Sequence, residues 1–125
     1  MTAPPPNDPD IPDTEELLRR FPQSWWVWDD KISGHRLSSA AFENSRDGSG
    51  TSVFLSSVAS KHQVLDGHDG YGLAVLDAGS ARAADQGVRR VPIEDLPGHA
   101  QIEGKKSGSI KNKLVAACRI ARKPD

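Results

Sequence analysis

Four lysines, Lys105, Lys106, Lys111 and Lys113, crowd the start of the last helical pattern in the chain, "KKSGSIKNKLVAACRIARK". Backbone N–H groups at a helix start already create positive potential, so a lysine there is disfavoured by roughly 0.3 to 1 kcal/mol. A bound anion would reverse the sign, since free N–H groups beside Gly and Ser receive phosphate oxygens. Arg36 in "GHRLSS" offers a planar fork of donors, and Ser38 and Ser39 follow with hydroxyls. His99, behind Pro97 and Gly98, is the histidine best placed to move a proton.

Each of these residues also has an ordinary structural role open to it. Exposed lysines are screened by salt and cost little. Arg36 can pair with Asp29 or Asp30 across a hairpin, and Ser38 or Ser39 can satisfy backbone groups at a strand end. His99 lacks an orienting acid on its own strand, because Glu103 lies too far along it; Glu94 or Asp95 would have to serve.

Several chemistries are excluded by spacing. Five residues separate Gly98 from Gly104 and Lys106 stands where a phosphate-binding loop needs a hydroxyl, so "GHAQIEGKKSGS" is not such a loop. No Gly-x-Ser-x-Gly elbow supplies a serine nucleophile. His35, His62, His68 and His99 show no paired metal spacing, and one cysteine cannot build a structural zinc site. "DGHDGYGLAVLD" has Tyr71 where a calcium loop needs Gly and Asp77 in place of the closing Glu. The expectation is no metal and no cofactor.

The elements that would carry these residues follow from pattern. Residues 1–13 hold five of the nine prolines and three aspartates, the composition of a flexible N-terminal segment, with one α+β domain over 14–125. "DTEELLRRF" carries a capping-box pair, Asp13 and Glu16, and predicts a short helix stopped by Pro22. "SWWVWDDKISGHRL" predicts a hairpin with Trp26 and Trp28 on one face and Trp25 and Val27 on the other. "TSVFL" and "YGLAVLD" predict buried strands, and between them Ser56 or Ser57 caps a helix presenting Val58, His62 and Leu65. "GSARAADQG" predicts a small helix with a serine cap. "GVRRVPI" predicts an edge strand, and "HAQIE" a strand whose His99, Gln101 and Glu103 face water. Ile110, Leu114, Ala117, Cys118 and Ala121 predict an amphipathic last helix reaching Pro124 and packed on the sheet. The sum is an α+β fold: a small mixed sheet of four or five short strands with three or four short helices.

Net charge is −1, yet residues 1–30 carry seven acids and two bases while residues 104–125 carry seven bases and one acid. A local field of that kind suits an anionic partner at the C-terminal end. No apolar run approaches the roughly 18 residues that cross a bilayer, no secretory pattern opens the chain, and Cys118 sits in an apolar pattern as an inert thiol. These features predict a soluble, cytoplasmic protein with no membrane partner. The leading functional expectation is a small non-catalytic binding or accessory module. It would contact nucleic acid or a phosphorylated ligand through Lys105, Lys106, Lys111 and Lys113, with Arg36 and His99 nearby. One alternative is an enzyme on a phosphate-containing substrate, with Arg36, His99 and Ser38 in the site. Another is a protein-interaction module using exposed tryptophans. Oligomeric state is not set by the sequence.

Overall fold

The structure, a computed structural model, describes residues 4–125. Six strands form one antiparallel sheet: β1 (Glu16–Phe21), β4 (Thr51–Leu55), β5 (Gly72–Asp77), β6 (Gly87–Arg90), β7 (His99–Glu103) and β8 (Arg119–Arg122). Their order is β6-β7-β4-β1-β5-β8, and every pairing is antiparallel. A separate hairpin joins β2 (Trp26–Asp29) to β3 (Gly34–Leu37). The helices are α1 (Lys61–Leu65), α2 (Ala78–Ala83) and α3 (Gly108–Ala117), with 3-10 turns at Gln23–Trp25 and Ser39–Phe42. The α+β class stands, but the large sheet has six strands rather than four or five, and it is antiparallel throughout rather than mixed.

Two of the additional strands come from segments with helical patterns. "ELLRRF" is the sheet's interior strand β1, not a helix: Leu17 and Phe21 face one core and Leu18 the other. Full pairing to β5 from Glu16↔Asp77 to Phe21↔Gly72 outweighs the local helix signal. Phe21 lies so close to Gly72 that a Cβ there would enter the ring. The residues of the expected capping box serve elsewhere: Asp13 accepts from Arg82 Nη1 at 2.7 Å, and Glu16 from Arg119 Nη2 at 2.6 Å. The last helix ends at Ala117, and "RIAR" turns back as β8 beside β5. Helix α3 buries Leu114 in the main core and rests against the 39–42 turn, α2 and β5.

The sheet is covered unequally. One face packs against Ile11, Phe42, α2 and α3, with Trp25 and Trp26 at its margin. The other carries a smaller cluster, Leu18, Phe54, Ala59, Val64, Leu73 and Val75, with Leu65 of α1, Leu96 and Ala121 packed against it. Ser60, not Ser56 or Ser57, caps α1 through a reciprocal box with Gln63, so Val64 is the buried residue and Val58 and His62 are exposed. Helix α2 starts at Asp77 without a side-chain cap, not from a serine.

Of the N-terminal segment 1–13, residues 1–3 lie outside the described part, and Asn7 and Asp8 lie beside β6. The Asp8 N–H donates to the Val88 carbonyl at 2.8 Å, and the Val88 and Arg90 N–H groups donate to the side chains of Asn7 and Asp8 at 3.0 and 2.7 Å. Ile11 is fully buried, and Arg82 donates to Asn7, Asp8, Ile11 and Asp13. This arm closes the β6 edge. A Cβ at Gly87 would overlap the Pro6 carbonyl. Gly87→Ala should therefore lift the arm, costing about 1–3 kcal/mol in urea unfolding and speeding exchange of the Asp8 amide; unchanged exchange would mean that the arm does not need this glycine.

Candidate functional site

Arg36, Ser38, His99, Lys106 and Lys111 make their side-chain contacts apart from one another. His99 lies at the start of β7, buried, and Gln101 is buried too, so this strand has no wet face at either position. The ring of His99 meets Phe54 edge-on, with centroids 5.5 Å apart. Its Nδ1 stands 2.8 Å from the Val91 carbonyl, which accepts only from a protonated nitrogen, and its Nε2 lies 2.9 Å from Ser52 Oγ. In the neutral ring with Nδ1 donating to Val91, Nε2 accepts a hydrogen bond from the Ser52 hydroxyl. Both nitrogens are engaged within the sheet, and neither Glu94 nor Asp95 is among their partners.

Arg36 is on the hairpin. Its Nε donates to Asp29 at 2.8 Å and its Nη1 to the Leu37 carbonyl at 3.2 Å. The Lys31 backbone N–H, and after it Arg36, hold the Asp29 carboxyl below its usual range. Ser38 caps the 39–42 turn by accepting from the Ala40 N–H at 3.2 Å. This turn buries Ala41 and Phe42, which explains the apolar end of "GHRLSSAAF".

The four lysines divide into two kinds. Lys106 folds back over its own loop, donating to Asn44 Oδ1 at 2.5 Å, the Ile102 carbonyl at 2.8 Å and the Gly104 carbonyl at 3.2 Å. Burial pushes its ammonium from the ordinary 10.5 down to about 8, against the opposing charge of Glu103. Lys111 reaches Glu43 at 3.4 Å and ties α3 to the segment after the 39–42 turn. Lys105 and Lys113 are exposed and have no carboxylate partner among the described residues. Ser107 caps α3, accepting from the Ile110 N–H at 3.2 Å.

Two surfaces lie outside the expected grouping. The hairpin carries rings in series from the core outward: Phe21 to Trp26 at 5.9 Å, Trp26 stacked on His35 at 6.0 Å, and His35 edge-on to Trp28 at 5.4 Å. Trp25 and Trp26 are half-buried, whereas Trp28 is 58% exposed and Ile32 at the turn 60%. The second surface is a groove of about 560 Å³ between α1 and β8. Leu65, Leu73 and Ala121 form its apolar part, with Lys61 and Arg122 as cations and Asp66 and Asp69 as acids. Only knowledge of β8 reveals it. Among the described residues no cluster of three or more His, Cys, Asp or Glu could hold a metal, and no helix is long and apolar enough to cross a membrane. Cys118 donates to the Leu114 carbonyl at 3.3 Å, and burial pushes its thiol up to about 12.

Lys106 gives this subsection its test. Folded Lys106 releases its proton near 8 and the unfolded lysine near 10.5, so the unfolded chain binds more protons between those values and stability rises with pH across that window. Urea unfolding at about pH 7 and about pH 10 should show the wild type gaining on Lys106→Met by on the order of 1 kcal/mol, the shift being discounted for partial exposure. A difference that does not change with pH would put this ammonium in water.

No protein-family model, curated protein or solved structure matches the chain.

Proposed function

We propose that the chain is a non-catalytic binding module that meets another macromolecule in the cytoplasm, and that the outer end of the β2–β3 hairpin is the contact. The observation that carries this is Trp28, 58% exposed, beside Ile32, 60% exposed, at the tip of a two-stranded ribbon. Single exposed apolar residues are ordinary, but here the exposed indole terminates a ring series rooted in the core. Its Nε1 is also fixed, donating to Asp30 Oδ1 at 2.6 Å. A tryptophan held this way needs little further ordering on binding, which favours its use as an anchor. The enzymatic alternative loses support because His99, Arg36 and Ser38 each spend their polar atoms on separate local contacts. A single cysteine with a strongly raised thiol pKa is compatible with the cytoplasmic setting.

A second reading, contact with nucleic acid or a phosphorylated ligand at the start of α3, keeps the support of Lys105 and Lys113, which are exposed without carboxylate partners among the described residues. Lys106 and Lys111 are already engaged and add less than their number suggests. The readings separate by mutation. Trp28→Ala and Ile32→Ser should each weaken retention of the native partner at least tenfold with the melting temperature nearly unchanged, while Lys105→Glu with Lys113→Glu leaves it intact. The opposite pattern would move the contact to α3.

A further inference from the structure

The two edges of the six-stranded sheet are treated differently. Edge β6, "GVRR", is covered by the chain's own residues 7–13. That arm is acidic and turns at Pro9 and Asp10, and it meets the edge in two ways: the Asn7 and Asp8 side-chain oxygens accept from the Val88 and Arg90 N–H groups while the Asp8 N–H donates to the Val88 carbonyl, and its aspartates meet arginines. Asp10 reaches Arg90 and Asp13 reaches Arg82, both at 2.7 Å. Edge β8, "RIAR", is also short and also basic, but it pairs only with β5 and has no strand or arm on its outer side among the described residues. Its arginines stand in water. Arg119 and Arg122 are each more than half exposed; Arg119 meets Glu16, while Arg122 has only Asp125 at 3.7 Å. Lys123 follows, exposed, with no ion pair among the described residues.

We propose that the β8 edge, with the groove between it and α1, is a docking site for an extended acidic peptide segment of a protein partner, added as a seventh strand. An added strand gains affinity from backbone hydrogen bonds along the edge and selectivity from alternate side chains. Carboxylates on that strand would meet Arg119, Arg122 and Lys123, and an apolar side chain on the face toward α1 would enter the groove, which Arg122 lines beside Leu65, Leu73 and Ala121. Asp66 and Asp69 on the α1–β5 loop disfavour a carboxylate at that end of the groove, so the acidic positions fall on the β8 side. On its β6 edge the chain holds an acidic segment of its own, through one backbone and two side-chain hydrogen bonds. A second copy is a poor occupant, because antiparallel pairing of two β8 edges sets arginines against arginines.

The site is independent of the hairpin, and its test separates the two. The probes are a synthetic heptapeptide of aspartate and valine residues and the same peptide with asparagine for aspartate, titrated into the isotope-labelled full chain. The aspartate peptide should shift the amides of residues 119–123 and slow their hydrogen exchange. The asparagine peptide and the Arg122→Glu and Lys123→Glu variants should bind at least tenfold more weakly, and Trp28→Ala should bind as the wild type does. The proposal is overturned if the two peptides bind equally, if neither perturbs residues 119–123, if the shifts fall instead on Asp8 and Val88–Arg90 as the arm is displaced, or if sedimentation shows β8 consumed in a dimer.

Discussion

The architecture depends on two adjacent arginines in the middle of the sheet. On β1, Arg19 and Arg20 point to opposite faces, and each ties a covering layer to the strand. Pairing between β1 and β4 stops after Leu18↔Phe54, leaving the Ser52 carbonyl without a strand partner on that side. Arg19 Nη1 donates to it at 3.0 Å, Nε donates to the Ala41 carbonyl at 3.0 Å, and the guanidinium lies 5.2 Å from the Trp25 ring centroid. One side chain thus joins the sheet, the 39–42 turn and the base of the hairpin. Arg20 does the same below, donating to the Val64 carbonyl at the end of α1 at 2.8 Å while resting 5.2 Å from the Phe54 centroid. Neither has a carboxylate partner among the described residues. Burial, with the charge of Arg20, lowers Arg19 only to about 10, so it stays charged at neutral pH. Weak hydration, a planar fork and an aromatic face make arginine the cation that tolerates this position.

That arrangement explains which parts of the fold were legible. Contiguous apolar runs such as "TSVFL" and "GLAVLD" identify β4 and β5 because burial on both faces leaves little else for them to be. Turn residues identify the hairpin for the same kind of local reason. β1 was hidden by its arginines. "ELLRRF" reads as an amphipathic helix only if Arg19 and Arg20 belong to water, whereas their hydrocarbon stems pack on the sheet and their heads find carbonyls. β8 was hidden by composition, since "LVAACRIAR" continues a helical pattern past Ala117 and only pairing with β5 ends it. His99 and Gln101 looked wet because alternation with Ala100 and Ile102 implies one solvated face; the sheet instead has a core on each face, so both alternating sets are enclosed.

At the basic start of α3 the structure supplies partners for two of the four lysines. An ammonium beside a helix start is unfavourable unless something negative is near, and for Lys106 and Lys111 the negative groups are the chain's own. Lys106 sits among two carbonyl oxygens and the Asn44 amide oxygen in the way a small bound cation would, and Glu43 faces Lys111. The sequence shows the cations but not the carbonyls, since a carbonyl's direction is set by the fold. The same limit applies to Arg36 and Ser38, whose partners are close in sequence and were foreseeable, and to His99, whose partners Val91 and Ser52 are not.

The exposed hairpin completes the mechanical argument. A lone two-stranded ribbon is marginal in water, so its order must be supplied from its base. The Ser38 N–H donates to the Trp25 carbonyl at 2.8 Å, Leu37 is buried, and Trp26 leans on Phe21, so the proximal half of the ribbon belongs to the core. The distal half is tied to that base by the Trp26–His35–Trp28 ring contacts and is otherwise held by its own polar contacts. Asp29 accepts from the Lys31 N–H and from Arg36, Asp30 accepts from Trp28, and Ser33 adopts a positive φ of 50° to turn the chain. Burying Trp28 against the ribbon would have been the simpler way to stabilise this half. Its rim is instead held by polar contacts while the indole and Ile32 face outward, and that division is what the proposed contact there rests on.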